Sequence, residues 1–194
     1  MRSKPKPEIR ILGIDDSPLL SDRILVVGAL LRGSGWVDGV LSTCVARDGT
    51  DAGERLAAMI TGSKHYGQIR IVMLNGVTFG GFNVVDLKEL HRATGLPVIA
   101  VMRHLPDMAS IKAALDNLPD PELRYQAILN AGPITEVQTP WRGQPVYIQC
   151  QGIETAAAAE LVAATAIHSR LPEPLRLAHL IATGIVLGES SKRA

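Results

Sequence analysis

Two adjacent carboxylates, Asp15 and Asp16, directly follow a hydrophobic segment near the start of the chain. Residues 11–14 are apolar, as in a strand buried on both faces, and Pro18 ends the run because proline donates no hydrogen bond to a sheet. A carboxylate at the end of a buried strand is costly to desolvate unless a cation or hydrogen-bond donors satisfy it. Asp15 is therefore a candidate ligand of a hard divalent cation. The alternative is that Asp15 or Asp16 only caps the turn that follows.

A second polar strand end comes later in the chain. The fourth apolar run ends at Asn75-Gly76, and a loop containing Gly80 and Gly81 follows before the next helix. Bare glycine backbone would let a phosphate or nucleotide approach the N-terminus of that helix, although the same glycines also suit a tight turn. If the first and fourth strands are neighbours, Asp15 lies across from the end of the fourth strand, where ligands of open α/β folds gather.

Hydrophobic periodicity divides the rest of the chain into strands and helices. Short turns join the first three apolar runs, as in an antiparallel meander, and amphipathic helices separate the later ones, as in parallel crossovers. The predicted strands are 11–14, 24–31, 37–45, 69–74 and 96–102, and helices are predicted after Asp51 and at 84–95, 106–118, 121–132, 155–168 and 175–187. This order predicts an α/β domain of RNase H-like type. Its mixed five-stranded sheet has three antiparallel and then two parallel strands, flanked by helices, with a small extra strand pair near 134–150.

The composition favours a folded protein without membrane spans. Hydrophobic residues make up 46% of the chain and the net formal charge is +1, and no apolar run approaches the roughly 20 residues needed to cross a bilayer. With so small a net charge, nucleic-acid binding needs a local basic patch, for which Arg47, Arg103 and Arg176 are candidates. Cys44 and Cys150 are isolated thiols that suit a reducing cytoplasm. No linker divides residues 1–194, so a single domain is expected.

Four segments carry a resemblance to a known family. They are Gly13–Ser17, Arg47–Gly49, Leu74–Asp86 and Leu171–His179. With these residues in this order over nearly the whole chain, the protein resembles endonuclease V and, more closely, its archaeal-type relatives, the endonuclease dU family. The resemblance implies a metal-dependent endonuclease that hydrolyses phosphodiester bonds in DNA containing deaminated bases, deoxyuridine or deoxyinosine. It also implies Mg²⁺ or Mn²⁺ as the cofactor and DNA as the partner.

The resemblance assigns roles to individual residues. Asp15 matches the first metal-binding aspartate, and Asp48 matches the acidic residue after the third strand, for which Asp51 is a rival. His179 on the last helix would orient water or assist the leaving group, and Arg176, one turn earlier, would hold a phosphate. The substrate contacts expected from the same match are Gly76, Gly80, Gly81, Asn83, Arg176 and Trp36.

Two positions depart from the endonuclease V pattern. The acidic metal ligand at the end of the fourth strand is Asn75 here, and an amide offers a cation a carbonyl oxygen but no charge. Asp16 would compensate only if it shared a face with Asp15, which a regular strand does not allow. The wedge that probes lesions in endonuclease V is replaced by a segment around Trp36, which suits either intercalation or covering the sheet edge.

Two other classes of function remain open at this point. One is a non-catalytic module that binds nucleic acid or a nucleotide and has lost its metal site. The other is an interaction protein with a vestigial cleft, which would have no affinity for nucleic acid even at low salt. Binding of a divalent ion distinguishes the enzyme from the first alternative.

Overall fold

The computed structural model describes residues 8–141 and 143–190, and its centre is a seven-stranded mixed sheet. The strands are β1 (Arg10–Asp16), β2 (Arg23–Arg32), β3 (Trp36–Ala46), β4 (Ile71–Asn75), β5 (Thr78–Phe79), β6 (Asn83–Val84), β7 (Val98–Met102), β8 (Thr135–Gln138) and β9 (Pro145–Gln151). The order across the sheet is β3-β2-β1-β4-β7-β9-β8, and β5 pairs with β6 apart from it. The first three strands are antiparallel, whereas β1, β4 and β7 are parallel.

The sheet is larger than the five strands predicted. The extra pair expected near 134–150 forms β8 and β9, which continue the main sheet because β9 pairs antiparallel with the otherwise open edge of β7. Val146 and Ile148 of β9 are fully buried, so this pairing also extends the hydrophobic core. The hairpin of β5 and β6 was not predicted, since two-residue strands carry no readable periodicity.

Helices cover both faces of the sheet. They are α1 (Ala52–Thr61), α2 (Leu87–Thr94), α3 (Met108–Leu115), α4 (Pro121–Asn130), α5 (Thr155–Thr165) and α6 (Glu173–Leu187). Apolar residues of α1 to α4 pack into one core cluster against the sheet, and those of α5 and α6 pack into another. In the part of the chain that the structure describes, no helix has the length and hydrophobicity of a membrane span.

The start of α6 lies directly on the backbone of β1. A Cβ atom at Gly13 would overlap the backbone of Pro174, so only glycine allows this approach. From Pro174 to His179 a helix rises about 7.5 Å, and from Gly13 to Asp15 a strand rises about 6.6 Å. The glycine contact at one end of the pair thus brings His179 over Asp15 at the other.

Candidate active site at the ends of β1 and β4

Asp15 and Asn75 meet at the edge of the sheet where the parallel strands end. The register pairs Ile14 with Leu74, so the two polar residues that follow leave neighbouring strands side by side. Asp15 is 2% exposed, and its Oδ1 accepts hydrogen bonds from Asn75 Nδ2 at 3.0 Å and from the backbone N–H of Asp16 at 2.9 Å. The two side chains therefore lie on one face of the sheet and within reach of a common ligand.

His179 completes this group from α6. Its Nδ1 lies 2.9 Å from Asp15 Oδ2. Because a carboxylate oxygen accepts hydrogen bonds, the imidazole donates from Nδ1, which leaves the lone pair of the neutral ring on Nε2. Nε2 is buried and has no hydrogen-bond partner among the described residues. A buried acceptor of this kind can take a proton from a water molecule or receive a donor from a ligand.

Asp16 fastens the glycine-rich loop to β1. Its Oδ2 accepts a hydrogen bond from the backbone N–H of Gly80 at 2.6 Å, and Gly80 has a φ of +55° that favours glycine. Burial raises the pKa of Asp16 to about 6; the hydrogen bond from Gly80 acts against this rise and the charge of Asp15 adds to it. A cation beside the two carboxylates would relieve this repulsion.

Asp48 lies in a different set of contacts from the one predicted. It occupies a turn with a φ of +50°, and its Oδ1 accepts a hydrogen bond from the backbone N–H of Phe82 at 2.8 Å. Gly81 passes so close to this carboxylate that a Cβ atom there would overlap it. Among the described residues, the Asp48 carboxylate shares no hydrogen bond with the group around Asp15. Asp48 therefore holds the loop, and its assignment as a second acidic metal ligand stays a prediction.

Asp51 and Asn83 form a buried tie between the third strand and α1. Asn83 is fully buried; its Nδ2 donates to Asp51 Oδ1 at 2.7 Å and to the carbonyl of Ala46 at 2.9 Å, and its Oδ1 accepts from the N–H of Ala52 at 2.9 Å. Burial alone would raise the pKa of Asp51, but hydrogen bonds from the backbone N–H of Ala46 and from Asn83 hold it below its usual range. Asn83 therefore lacks the free polar atoms that its predicted role as a substrate contact requires.

Two further predicted contacts lie outside the group around Asp15. The guanidinium of Arg176 is bound by Glu173, with Nη2 at 2.8 Å from Oε2, which restricts its freedom to follow a phosphate. Trp36 is 63% exposed and stacks under Arg32. Trp36 pairs with Arg32 of β2, which pairs with Arg10 of β1. Arg10 lies at the opposite end of β1 from Asp15, about 17 Å away at the usual rise of a strand.

Arg103 is a half-buried basic residue that interacts electrostatically with Asp15. Burial lowers the pKa of Arg103; the charge of Asp15 raises it again, and that of Arg170 lowers it further. Arg170 in turn lies with Nη2 at 3.2 Å from His104 Nε2. The sequence indicated Arg103 because it follows β7, but Arg170 was missed because it lies in a segment without periodicity, between α5 and α6.

A cavity of about 270 Å³ opens beside this edge, on the face of the sheet that α3 and α4 cover. Apolar side chains form most of its wall and polar groups approach it at Gly76, Arg103 and Gln149. Pockets for drug-sized ligands begin at about 300 Å³, so the cavity suits one planar ring system. This cavity was not predicted, because its wall is built by segments far apart in the chain: Gly76, Phe82, Met102, Arg103, Ile128 and Gln149.

The oxygen donors at this edge fit a cation that is shared with a bound phosphate. Among the described residues, no three Asp, Glu, His or Cys side chains are arranged to hold a metal ion. However, Mg²⁺ is commonly held by one or two carboxylates together with water and substrate phosphates. Asp15 supplies the carboxylate, and Asn75 supplies a carbonyl oxygen once its amide turns away from Asp15.

Comparison with known proteins agrees with this geometry. Residues 7–186 match the sequence profile of the family described as endonuclease dU. Over 189 residues the chain is 56% identical to a UPF0215 protein of Methanosarcina acetivorans, covering 97% of this chain and 96% of that one. A crystal structure of an Archaeoglobus fulgidus protein of unknown function superimposes with a TM-score of 0.82 at 40% identity, covering 92% of this chain and 98% of that chain.

The fold itself also occurs in endonuclease V. The enzyme from Ciona intestinalis, solved with a 24mer DNA containing an inosine followed by a ribo-adenosine, superimposes with a TM-score of 0.61 at 14% identity. The match covers 93% of this chain and 87% of that one. The predicted RNase H-like architecture is thus confirmed. From the profile match over nearly its whole length and the close relatives, the chain belongs to the endonuclease dU family.

Proposed function

We propose that this protein hydrolyses a phosphodiester bond in DNA beside a deaminated base, either deoxyuridine or deoxyinosine. The observation that carries the proposal is the group formed by Asp15, Asn75 and His179 at the ends of β1 and β4, with the buried Nε2 of His179 free to act on a ligand. The family name and the inosine-containing DNA bound by an endonuclease V of the same fold support the choice of substrate.

His179 serves in this proposal as the group that moves a proton. Asp15 fixes the imidazole through Nδ1 and stabilises the charged ring that forms when Nε2 accepts a proton from the attacking water. Arg103 interacts electrostatically with Asp15, and its positive charge would offset the charge of a phosphate bound at the same edge.

Asp15 and Asn75 are the residues that would hold Mg²⁺ or Mn²⁺. When bound, such an ion would polarise the phosphate and neutralise charge at the sheet edge. Asn75 now donates its N–H to Asp15, so its amide must turn over before the carbonyl oxygen can serve as a ligand. Asp48 and Asp51 act at a distance by holding the loop and α1.

Cleavage of a duplex with a single deoxyuridine tests the proposal. We expect cleavage with Mg²⁺ or Mn²⁺, none with a chelator, and none of the same duplex carrying deoxycytidine, the parent base, at that position. Asp15→Asn should abolish cleavage, whereas Asp116→Asn, which removes the same charge from an exposed site at the C-terminal end of α3, should not. Equal rates for the wild type and Asp15→Asn would contradict the proposal.

A second candidate function is binding of nucleic acid without cleavage. The hydrogen bond from Asn75 to Asp15 favours it, because this contact holds the group together without a cation. This candidate predicts affinity for DNA but no heat of binding for Mn²⁺ in calorimetry, with or without DNA. The proposed nuclease requires Mn²⁺ binding at least when DNA is present.

A further inference from the structure

Gln149 is the polar side chain in the wall of the 270 Å³ cavity whose orientation is fixed. It belongs to β9, pairs with Ala100 of β7, and is only 4% exposed. Its Nε2 donates to the backbone carbonyl of Gly132 at 2.7 Å. Because a carbonyl only accepts hydrogen bonds, the amide cannot be turned over, and Oε1 must point away from Gly132.

The Oε1 atom of Gln149 is a hydrogen-bond acceptor that is available to a ligand. Oε1 accepts no hydrogen bond from any residue in the described ranges. In those ranges, the side-chain atoms that are both fully buried and unpaired are the Nε2 of His179 and the Oγ1 of Thr183, so the unpaired Oε1 is not fully buried. It is therefore reachable by solvent although the residue as a whole is buried. Since Gln149 lines the cavity, the cavity is where that reachable oxygen lies.

A fixed acceptor distinguishes a deaminated base from its parent. Deamination turns the N3 lone pair of cytosine into the N3–H of uracil, and the N1 lone pair of adenine into the N1–H of hypoxanthine. An oxygen facing that edge gains a hydrogen bond from either product and meets a repelling lone pair in either parent. Thymine shares the N3–H of uracil, so the acceptor does not separate these two; thymine in a regular pair is instead kept out by the cost of extruding it.

The position of the cavity suits a base extruded beside the cleavage site. Gly76, which directly follows Asn75, lines the cavity together with Arg103. The cavity therefore opens at the same strand ends as the proposed phosphate site, although it lies on the face of α3 and α4 and the Asp15 side chain points towards α6. Phe82, Met102 and Ile128 offer apolar surface to the faces of a planar ring. The volume of about 270 Å³ is sufficient for one base.

We infer that Gln149 determines the base specificity of the protein, its Oε1 accepting the ring N–H of a uracil or hypoxanthine that has entered the cavity. This inference rests on the proposed function and names the residue that reads the substrate. The chain contains a matched control. Gln151 lies two residues along β9, donates its Nε2 to the carbonyl of Asn130 at 3.0 Å, and does not line the cavity.

The test compares binding of single-stranded oligonucleotides with one deoxyuridine or one deoxycytidine, which removes the cost of opening a base pair. Fluorescence anisotropy at low salt, in the presence of a chelator that prevents cleavage, gives the affinities. We expect the wild type to favour deoxyuridine roughly tenfold, on the scale of one good base contact. Gln149→Met should bring the two affinities together, and Gln151→Met should leave the preference intact.

A modified base keeps the test valid even if Gln149→Met is poorly folded. N3-methyldeoxyuridine lacks the ring N–H, so the wild type should bind it about as weakly as deoxycytidine. An undiminished preference for deoxyuridine in folded Gln149→Met, or equal binding of deoxyuridine and its N3-methyl form by the wild type, would overturn the role of Gln149 alone. Absence of any DNA binding by the wild type would overturn the proposed function and this inference with it.

Discussion

The molecule contains two Asp–Asn pairs that differ in how completely their hydrogen bonds are satisfied. Asn83 donates to Asp51 in one pair and Asn75 donates to Asp15 in the other. In the first, backbone groups of Ala46 and Ala52 occupy the remaining donors and acceptors. We call it the closed pair, and the pair of Asp15 and Asn75 the open pair.

The open pair retains capacity for a ligand. Within the described ranges, the carbonyl oxygen of Asn75 accepts no hydrogen bond, and the Nε2 of the adjoining His179 has no partner. Buried polar groups are almost always paired, so an exception of this kind points to a bound water, ion or substrate. The comparison teaches that residue type alone does not separate a structural pair from a functional one; the unpaired atoms around it do.

The largest expected effect is on catalysis at the open pair. Replacing His179 by alanine should lower the rate of cleavage of deoxyuridine-containing DNA by about 10²–10⁴-fold, the usual contribution of a proton-transferring side chain. His65→Ala is the control, because His65 packs near Gly39 of β3, away from Asp15. Single-turnover kinetics on folded protein measure both. A loss of less than threefold in His179→Ala, or an equal loss in the control, would contradict the assignment.

The second effect is on stability at the closed pair. Asn83→Ala removes three hydrogen bonds, to Asp51, to the Ala46 carbonyl and from the Ala52 N–H. It leaves that N–H without a partner among the described residues, and an unpaired buried group costs about 1–3 kcal/mol in addition to the lost bonds. Asn75→Ala removes a single hydrogen bond, and Asp15 keeps those with His179 and with the backbone N–H of Asp16. It should therefore cost less than Asn83→Ala, about 1.5 kcal/mol, the lower value for a hydrogen bond to a charged group. Urea unfolding followed by circular dichroism gives both values. If Asn75→Ala were the more destabilising change, the distinction between the pairs would be wrong.

The third effect couples stability to a cation. Asn75→Asp replaces a donor to Asp15 by a second carboxylate, so the protein without metal should lose stability through repulsion. Mn²⁺ should restore it and bind more tightly than to the wild type, by about 1–3 kcal/mol on the scale of a charged partner compared with a neutral one. Thermal unfolding with and without Mn²⁺ measures this. Identical shifts in the two proteins would remove Asn75 from the ligands.

The smallest effect is a pH dependence at the closed pair. Hydrogen bonds hold the pKa of Asp51 below its usual range, so this group stabilises the fold above the pKa of the unfolded chain. That stabilisation should disappear as the pH falls through the lower pKa of the folded state. Because Asp51 is partly exposed, the change is modest. Carbon NMR titration of the carboxyl should show the depressed pKa, and Asn83→Ala should move it back towards the ordinary aspartate value.

Local sequence signals were sufficient for the strand ends but not for the contacts between distant segments. The apolar run that stops at Asp15 indicated a candidate site at the end of β1, because an unpaired carboxylate at the end of a buried strand is energetically costly. A helix was predicted after Asp51, and α1 begins there; however, Asp51 forms no side-chain cap, and Asn83, 31 positions away, accepts the hydrogen bond from the Ala52 N–H instead. Periodicity describes one element at a time and cannot reveal such a partner.

The same limit explains the remaining differences. Asp48 was matched through its position after β3, but its left-handed backbone turns the carboxylate towards Phe82. The cavity and Gln149 depend on how β9 docks against β7, which the sequence indicated only as a separate strand pair. Resemblance to a family located the open pair, whereas the structure was needed to recognise the closed one.

A Mn²⁺ titration of three proteins tests the central claim most directly. The wild type, Asp15→Asn and Asp51→Asn are titrated in the presence of a deoxyuridine-containing oligonucleotide, with free Mn²⁺ followed by electron paramagnetic resonance. Both variants remove one charge from an Asp–Asn pair and keep an oxygen acceptor in place. The account predicts that Asp51→Asn binds Mn²⁺ like the wild type and that Asp15→Asn does not bind it. Unchanged binding by Asp15→Asn, or loss of binding by Asp51→Asn, would contradict it.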